Sequence, residues 1–324
     1  MYSAKDVLPV PDYGNIVALA GGVGGAKLVQ GLAVLMNDRH LSAIINTADD
    51  FELYGLTISP DVDTVMYTLA ELANPATGWG IRDDTRATLD AIARYGEDPW
   101  FTVGDQDFAT HILRSHLLRQ GATPTDVTNH LATALGIKPR LLPMTDTRVA
   151  TEILTADGWL EFQEYFVARR HDDDVKDVRF TGIESSAPTP QVLDAIATAD
   201  LIVFCPSNPI VSIGPILAVP GLREAIANAT APVVAVSPII GGRALKGPAD
   251  RMLASRGVDV SPIGVADIYG DLIDGLVIDT KDASLEADLT ARGLQTLVTQ
   301  TIMGGKDDRA RLAQEILTVK WTRS

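Results

Sequence analysis

Ile16-Val17-Ala18-Leu19-Ala20-Gly21-Gly22-Val23-Gly24-Gly25-Ala26-Lys27 decides the fold. It opens with an uninterrupted apolar run, too short for a helix and with no polar alternation. Such a run reads as a parallel strand covered on both faces. Glycines at 21, 22, 24 and 25 then turn the chain, and Ala26 to Leu35 carries Leu28, Leu32 and Leu35 on one helical stripe. Leu41 to Ile45 is a second apolar run. Strand, glycine turn, helix and strand together open a doubly wound sheet.

The pattern returns late in the chain. Leu201–Phe204 and Val233–Val236 are further strands, and Gly275–Ile278 and Leu294–Val298 follow them. Residues 216–229 are partly helical and break at Pro220-Gly221, while Ala249–Arg256 and Asp307–Leu317 read as helices. The middle is different. Helices are expected at Thr85–Tyr95, Phe108–Gln120 and Thr125–Leu135, the last capped through Thr123 and Asp126. Strand-like pieces follow at Ala150–Leu154, Trp159–Phe162 and Tyr165–Ala168. The expected fold is α/β: a Rossmann-like, doubly wound, mostly parallel sheet from residues 1–79 and 191–324. Residues 80–190 form an inserted helical and β subdomain.

The chain has 324 residues, with 42 acidic against 27 basic side chains and a formal net charge of -15. That balance argues against a general nucleic-acid or anionic-membrane surface. It leaves room for a local phosphate site, which needs only a few N–H groups, a cation or a metal. One cysteine, Cys205, makes no internal disulfide and fits a reducing cytoplasm. No apolar run reaches the ~18 residues of a membrane span, and Met1–Asn15 lacks the apolar core of a signal peptide.

The glycine turn lets a backbone approach a ligand, and the helix after it offers N–H groups to an anion. Gly21, Gly22, Gly24, Gly25 and Lys27 are therefore candidate phosphate binders. The spacing matches neither the Walker pattern nor the dinucleotide pattern, whose third glycine is replaced by Lys27. Asp49-Asp50 follows the second strand and Asp61-Val62-Asp63 comes soon after. Carboxylates at the carboxyl ends of parallel strands suit Mg²⁺ held together with substrate phosphates. Asp63 could equally cap a helix over Val65–Leu72. His111 and His116 are five apart, the wrong spacing for a zinc pair on one helix face. Arg114, one turn from His111, could meet a phosphate. Ser207, Asn208, Ser212 and Gly214 lie in a proline-stiffened loop after a strand, where polar groups can recognise a base, ribose or phosphate. His171-Asp172-Asp173-Asp174 reads as a solvated turn.

Together these segments resemble the 2-phospho-L-lactate transferases of coenzyme F420 biosynthesis. The matching blocks are Gly21–Lys27, Asn46–Asp50, Ser59–Thr64, Gly78–Thr85, Gly104–His111, Leu142–Asp146, Phe162-Gln163, Pro206–Pro215 and Val236–Ile240. The resemblance implies a Rossmann-like, often dimeric enzyme with Mg²⁺ as its metal. Its substrates would be a guanosine-diphosphate-activated three-carbon acid and the deazaflavin FO. The terminal ribityl hydroxyl of FO would attack the phosphorus nearer the acid, and GMP would leave. Asp49, Asp50 and Asp63 become the expected metal carboxylates, with Asp63 or Asp49 catalytic and Asp63 the proposed proton acceptor. Arg82, Asp84, Thr102, Asp105, His111 and Arg114 join Asp63 as the expected FO-side residues. The family commonly has arginine where Gln106 stands and often a basic residue near Thr102, so Lys27, Arg82 or Arg114 would have to compensate. The donor acid, among phospholactate, phosphoenolpyruvate and 3-phosphoglycerate, stays open. Two other classes also stay open: a nicotinamide or flavin oxidoreductase, and a non-catalytic nucleotide binder on the same fold.

Overall fold

The computed structural model describes residues 13–36 and 40–323; the Met1–Asp12 part of the amino-terminal segment lies outside the described residues. The chain begins with β1 (Asn15–Ala20), α1 (Gly22–Met36) and β2 (His40–Ile45), then a hairpin of β3 (Phe51–Leu53) and β4 (Leu56–Ile58). Helices α2 (Pro60–Leu69), α3 (Ala87–Arg94), α4 (Asp105–Arg119) and α5 (Pro124–Ala134) follow. Next come β5 (Arg140–Pro143), β6 (Ala150–Thr155), β7 (Gly158–Glu161), β8 (Asp177–Thr181) and α6 (Pro190–Ala197). The carboxyl-terminal part is β9 (Leu201–Phe204), α7 (Ile213–Ala218), α8 (Leu222–Ala227), β10 (Val233–Val236) and the β11–β12 hairpin (Ile239–Ile240, Arg243–Ala244). It ends with α9 (Ala249–Ser255), α10 (Pro262–Tyr269), β13 (Gly275–Asp279), α11 (Glu286–Ala291), β14 (Gln295–Thr299) and α12 (Lys306–Thr318).

A seven-stranded sheet in the order β14-β13-β10-β9-β1-β2-β5 is the frame, and its pairings are all parallel. The α/β reading of the opening stretch is therefore correct. Each central strand is buried on both faces, as its unbroken apolar sequence requires. Ile16, Ala18, Val203 and Val234 pack under α1, α2, α5 and α12. Val17, Leu19, Ile202 and Phe204 face the opposite layer, where α6, α8 and α10 meet the three-stranded sheet β7-β6-β8. The stretch 80–190 supplies that small sheet, and it also supplies β5, which pairs in parallel with β2 at the edge of the main sheet.

One element differs in kind. Tyr165–Ala168, expected as a strand, lies in a π-helical turn over Glu164–Ala168. Phe166 within it stacks on Phe162 just before it, with ring centroids 5.4 Å apart. Residues four apart on a strand would be separated by about 13 Å, so only a helical turn brings these rings together. Several helices also begin earlier than the sequence pattern suggests: α1 at Gly22, α2 at Pro60 and α4 at Asp105. For α1 and α4 the cause is a cap supplied from a distance. Asp61 Oδ1 accepts the Gly22 N–H at 2.7 Å, and Asp84 accepts the N–H groups of Gln106 and Asp107. Such caps satisfy the orphan donors of a first turn without any local signal.

Candidate active site

The carboxyl ends of β1, β2 and β9 meet at Asp61. This carboxylate, 7% exposed, accepts from Gly22 N–H and from Asn46 Nδ2 at 3.0 Å. It ties the first turn of α2 to the first turn of α1 and to the end of β2. Gly22 enters α1 with φ of +62°, which glycine adopts without strain. Its neighbours are glycines for reasons of space. A Cβ on Gly21 would lie 2.7 Å from both Asp61 Oδ2 and Ser212 Cβ, and one on Gly25 would lie 2.7 Å from Ser207 Oγ. One on Gly24 would overlap the Pro206 carbonyl.

The loop after β9 is thus seated on the glycine turn. Ser207 Oγ–H donates to the Gly21 carbonyl at 2.8 Å, and the same oxygen accepts from Gly21 N–H at 3.2 Å. Asn208 folds its own loop by accepting from Ile210 N–H at 2.9 Å. Gly214 lets α7 approach the Pro209 carbonyl, which a Cβ would meet at 3.1 Å. Gly21, Ser207 and Ser212, expected to face nucleotide phosphates, here contact each other across the sheet's switch point.

Beside this junction lies a small cleft lined by Asp49, Asp50 and Phe51 on one side and by Thr151, Glu161, Phe162 and Gln163 on the other. It sits where the end of β2 meets the β7-β6-β8 sheet. Thr47 Oγ1, Asp49 Oδ1 and Asp50 Oδ1 are buried there with no hydrogen-bond partner among the described residues. Burial, reinforced by the Asp61 charge, holds the Asp49 carboxyl well above the usual carboxylate range. Burial likewise pushes Asp50 up to about 8, even though Ser59 Oγ–H donates to it at 2.7 Å. Asp61 is pushed up to about 6 by the same cause, with its two donors pulling the other way.

Asp63 occupies a different environment. Both of its oxygens pair with the Arg114 guanidinium, and Arg114 is 3% exposed. His111 stands 3.7 Å from Asp63 through Nδ1 and 3.2 Å from Asp107 through Nε2. Tyr67 OH donates to Asp107 at 2.7 Å. This buried chain locks α4 onto α2. It gives His111 and Arg114 partners inside the protein, and it occupies both oxygens of Asp63 with one guanidinium.

The remaining expected residues are separate from the cleft. Asp84 caps α4, and Asp105 caps α3 by accepting from Ala87 N–H and Thr88 N–H. The Thr85 hydroxyl, which donates to it, and then the Thr88 side chain and these N–H groups hold the Asp105 carboxyl below its ordinary range. Arg82 is exposed and donates to the Glu71 carbonyl at 2.9 Å. Thr102 is exposed in the link leading into α4. Lys27, in the second turn of α1, donates to the Met303 carbonyl at 2.8 Å.

Among the described residues, no group of three or more His, Cys, Asp or Glu side chains could hold a metal. The two orphaned carboxylate oxygens of Asp49 and Asp50 nonetheless fit Mg²⁺. That ion is commonly bound by one or two carboxylates, completed by water and substrate phosphate. Sequence reasoning missed the roles of Asn46, Asp61, Thr151, Glu161 and Gln163. Asp61 had a visible signal, since it stands two residues before Asp63 behind Pro60, a common first residue of a helix. Thr151 and Glu161 had none, because only the tertiary fold brings the small sheet to the end of β2.

The family model described as 2-phospho-L-lactate transferase CofD matches residues 16–309. A phosphoenolpyruvate transferase of Streptomyces griseus is 44% identical over 94% of this chain and 97% of its own. The 2-phospho-L-lactate transferase of Methanocaldococcus jannaschii is 40% identical over 93% and 97%. That of Methanosarcina mazei is 37% identical over 93% and 99%. Among solved structures, a Bacillus halodurans protein of the UPF0052 family superimposes with a TM-score of 0.63 at 17% identity, covering 95% of this chain and 99% of its own, and shares the fold. The match runs from β1 into α12 and takes in the acidic cleft, so this transferase belongs to the 2-phospho-L-lactate transferase CofD family.

Proposed function

We propose that the protein transfers a phospho-acyl group from a guanosine-diphosphate-activated three-carbon acid to the terminal ribityl hydroxyl of FO. The new bond joins the ribityl oxygen to the phosphorus nearer the acid. The bond from that phosphorus to the bridging oxygen breaks, and GMP leaves with the bridging oxygen. The observation that carries the reading is the pair of buried, unpartnered carboxylate oxygens at the end of β2, on a chain with full-length transferase relatives. Asp49 and Asp50 would hold Mg²⁺, which supplies charge neutralisation at the phosphate oxygens when bound.

The protein's own part is positioning and proton handling. The Asp61–Gly22–Asn46 junction fixes the two carboxylates against the sheet edge. The Arg114–Asp63 pair fixes α4 behind them. Since Asp63 is spent on Arg114 and Asp49 and Asp50 would be spent on the metal, we assign the hydroxyl proton to the departing GMP phosphate, which carries the bridging oxygen away. Phosphoenolpyruvyl is the donor to test first. Relatives named for it reach 44% identity, against 40% for those named for phospholactate. The reading includes a homodimer in the cytoplasm, which light scattering of the purified protein checks for assembly state.

Incubation with FO, Mg²⁺ and each guanylylated donor, followed by mass spectrometry, tests the reaction. An FO phosphodiester and GMP should form in equal amounts. No FO-containing phosphodiester with any of the three donors would overturn it.

A further inference from the structure

We propose that Asn46 is a positioning residue that couples the turn carrying Asp49 and Asp50 to the loop between β9 and α7. The role rests on the reading of those two acids as the Mg²⁺ ligands.

Asn46 is the first residue after β2, and its N–H continues the sheet by donating to the Ala20 carbonyl at 3.1 Å. Its side chain is 0% exposed, so its polar atoms must be met inside the protein. Oδ1 accepts from Ala48 N–H at 3.0 Å, which closes an Asx turn over residues 46–48. Nδ2 donates to Asp61 Oδ2 at 3.0 Å and to the Val211 carbonyl at 3.3 Å. The three partners belong to three segments: the turn after β2, the first turn of α2 and the loop after β9. Val211 is 165 residues from Asn46 in sequence, so only folding makes this contact.

These partners require one acceptor and two donors on a short side chain, which asparagine supplies. Aspartate would lose both donors and set a second carboxylate against Asp61. Serine has a single hydrogen to give. The turn's own polar side chains do not replace the amide: Thr47 Oγ1 and Asp49 Oδ1 are buried with no partner among the described residues. Ala48 is instead gripped from both sides, its N–H by Asn46 and its carbonyl by Thr151 N–H at 2.7 Å. Asp49 follows it directly in the chain. The other end of the path is also held, because Asn208 Oδ1 accepts from Ile210 N–H at 2.9 Å and from Val211 N–H at 3.4 Å. Asn208, Val211, Asn46 and Ala48 thus form a continuous line of hydrogen bonds from the loop to the acids. A shift of the Val211 peptide is felt at Ala48, and so at the carboxylate beside it. Mg²⁺ demands near-ideal octahedral geometry, so a small displacement of a ligand reads out as lost affinity.

Titration of the metal-free protein with Mn²⁺, which takes the same oxygen ligands, tests the role without any substrate. The free ion is followed by electron paramagnetic resonance. Asn46→Ala should weaken Mn²⁺ about ten-fold or more, and Asn208→Ala about three-fold or more. The double variant should match Asn46→Ala within about two-fold, because the path is already cut. Where Asn46→Ala does not fold by circular dichroism, Asn46→Ser takes its place in the same cycle with the same expectations. A folded Asn46 variant that binds Mn²⁺ within about two-fold of the wild type would overturn the positioning role. Wild-type affinity in Asn208→Ala, or a double variant that loses the full product of the two single effects, would overturn the coupling, since local damage at two sites acts independently. A wild type that leaves Mn²⁺ free removes the metal reading and the inference with it. Tight wild-type binding that neither variant disturbs removes the inference alone.

Discussion

Asp50 is the residue whose chemistry is most sharply set by its position. Burial raises its folded-state pKa from 3.8 to about 8, so between those values the folded protein holds a proton that the unfolded chain has released. Stability must therefore fall as pH rises through that window, by up to ~1.4 kcal/mol per pH unit. Asparagine keeps the shape and carries no proton to lose. In metal-free buffer, Asp50→Asn should melt above the wild type at pH 8, with a gap that shrinks towards pH 4. A constant gap in thermal melts across that range would refute the environment described here. The Asp63–Arg114 pair gives the complementary case. Removing one partner strands a buried charge, at a cost of ~3–5 kcal/mol, so Arg114→Met should be strongly destabilising in urea. Adding Asp63→Leu should recover much of the loss, because the stranded carboxylate is gone. If the double variant is no more stable than Arg114→Met, the pair does not hold α4 to α2.

At the scale of elements, the junction of the glycine turn with the loop after β9 predicts a sharp contrast between two glycines. Gly24→Ala would drive a methyl into the Pro206 carbonyl, and neither backbone can retreat without shifting β9 or α1. Overpacking of this kind costs ~1–3 kcal/mol or more. Gly305→Ala meets nothing within 4 Å and should melt close to the wild type. Equal melting temperatures for the two would remove the packing argument for the glycines. The same junction explains what the sequence could reveal. Strands β1, β9 and β10 were legible because burial on both faces leaves an unbroken apolar run. Helix α5 was legible because its cap is local, with Thr123 and Asp126 satisfying each other's donors. Strand β5 was not, since Arg140–Pro143 contains a charge and a proline and earns its place only by pairing with β2. The site divided along the same line. Asp49 and Asp50 showed themselves by following a strand. The partnering of Asp63 with Arg114, 51 residues apart in sequence, and the use of Asp84 and Asp105 as caps, depend on contacts made only after folding.

Over the whole molecule, the net charge of -15 opposes the approach of a diphosphate, and the buried acids Asp49 and Asp50 stand where β2 ends at the carboxyl edge of the sheet. On the proposed reading the two buried acids, held protonated by their environment, would become ligands for the donor's phosphates only when a divalent ion displaces their protons. Donor binding should therefore be weak in EDTA and at least about ten-fold tighter in saturating Mg²⁺, measured by calorimetry without FO so that no turnover intrudes. The metal increment should shrink in Asp49→Asn and Asp50→Asn, because an amide removes charge from the ligand set. Equal affinity with and without Mg²⁺ in the wild type would show that the donor is bound without a metal. The two acids would then need another reason for being buried with an oxygen unpartnered.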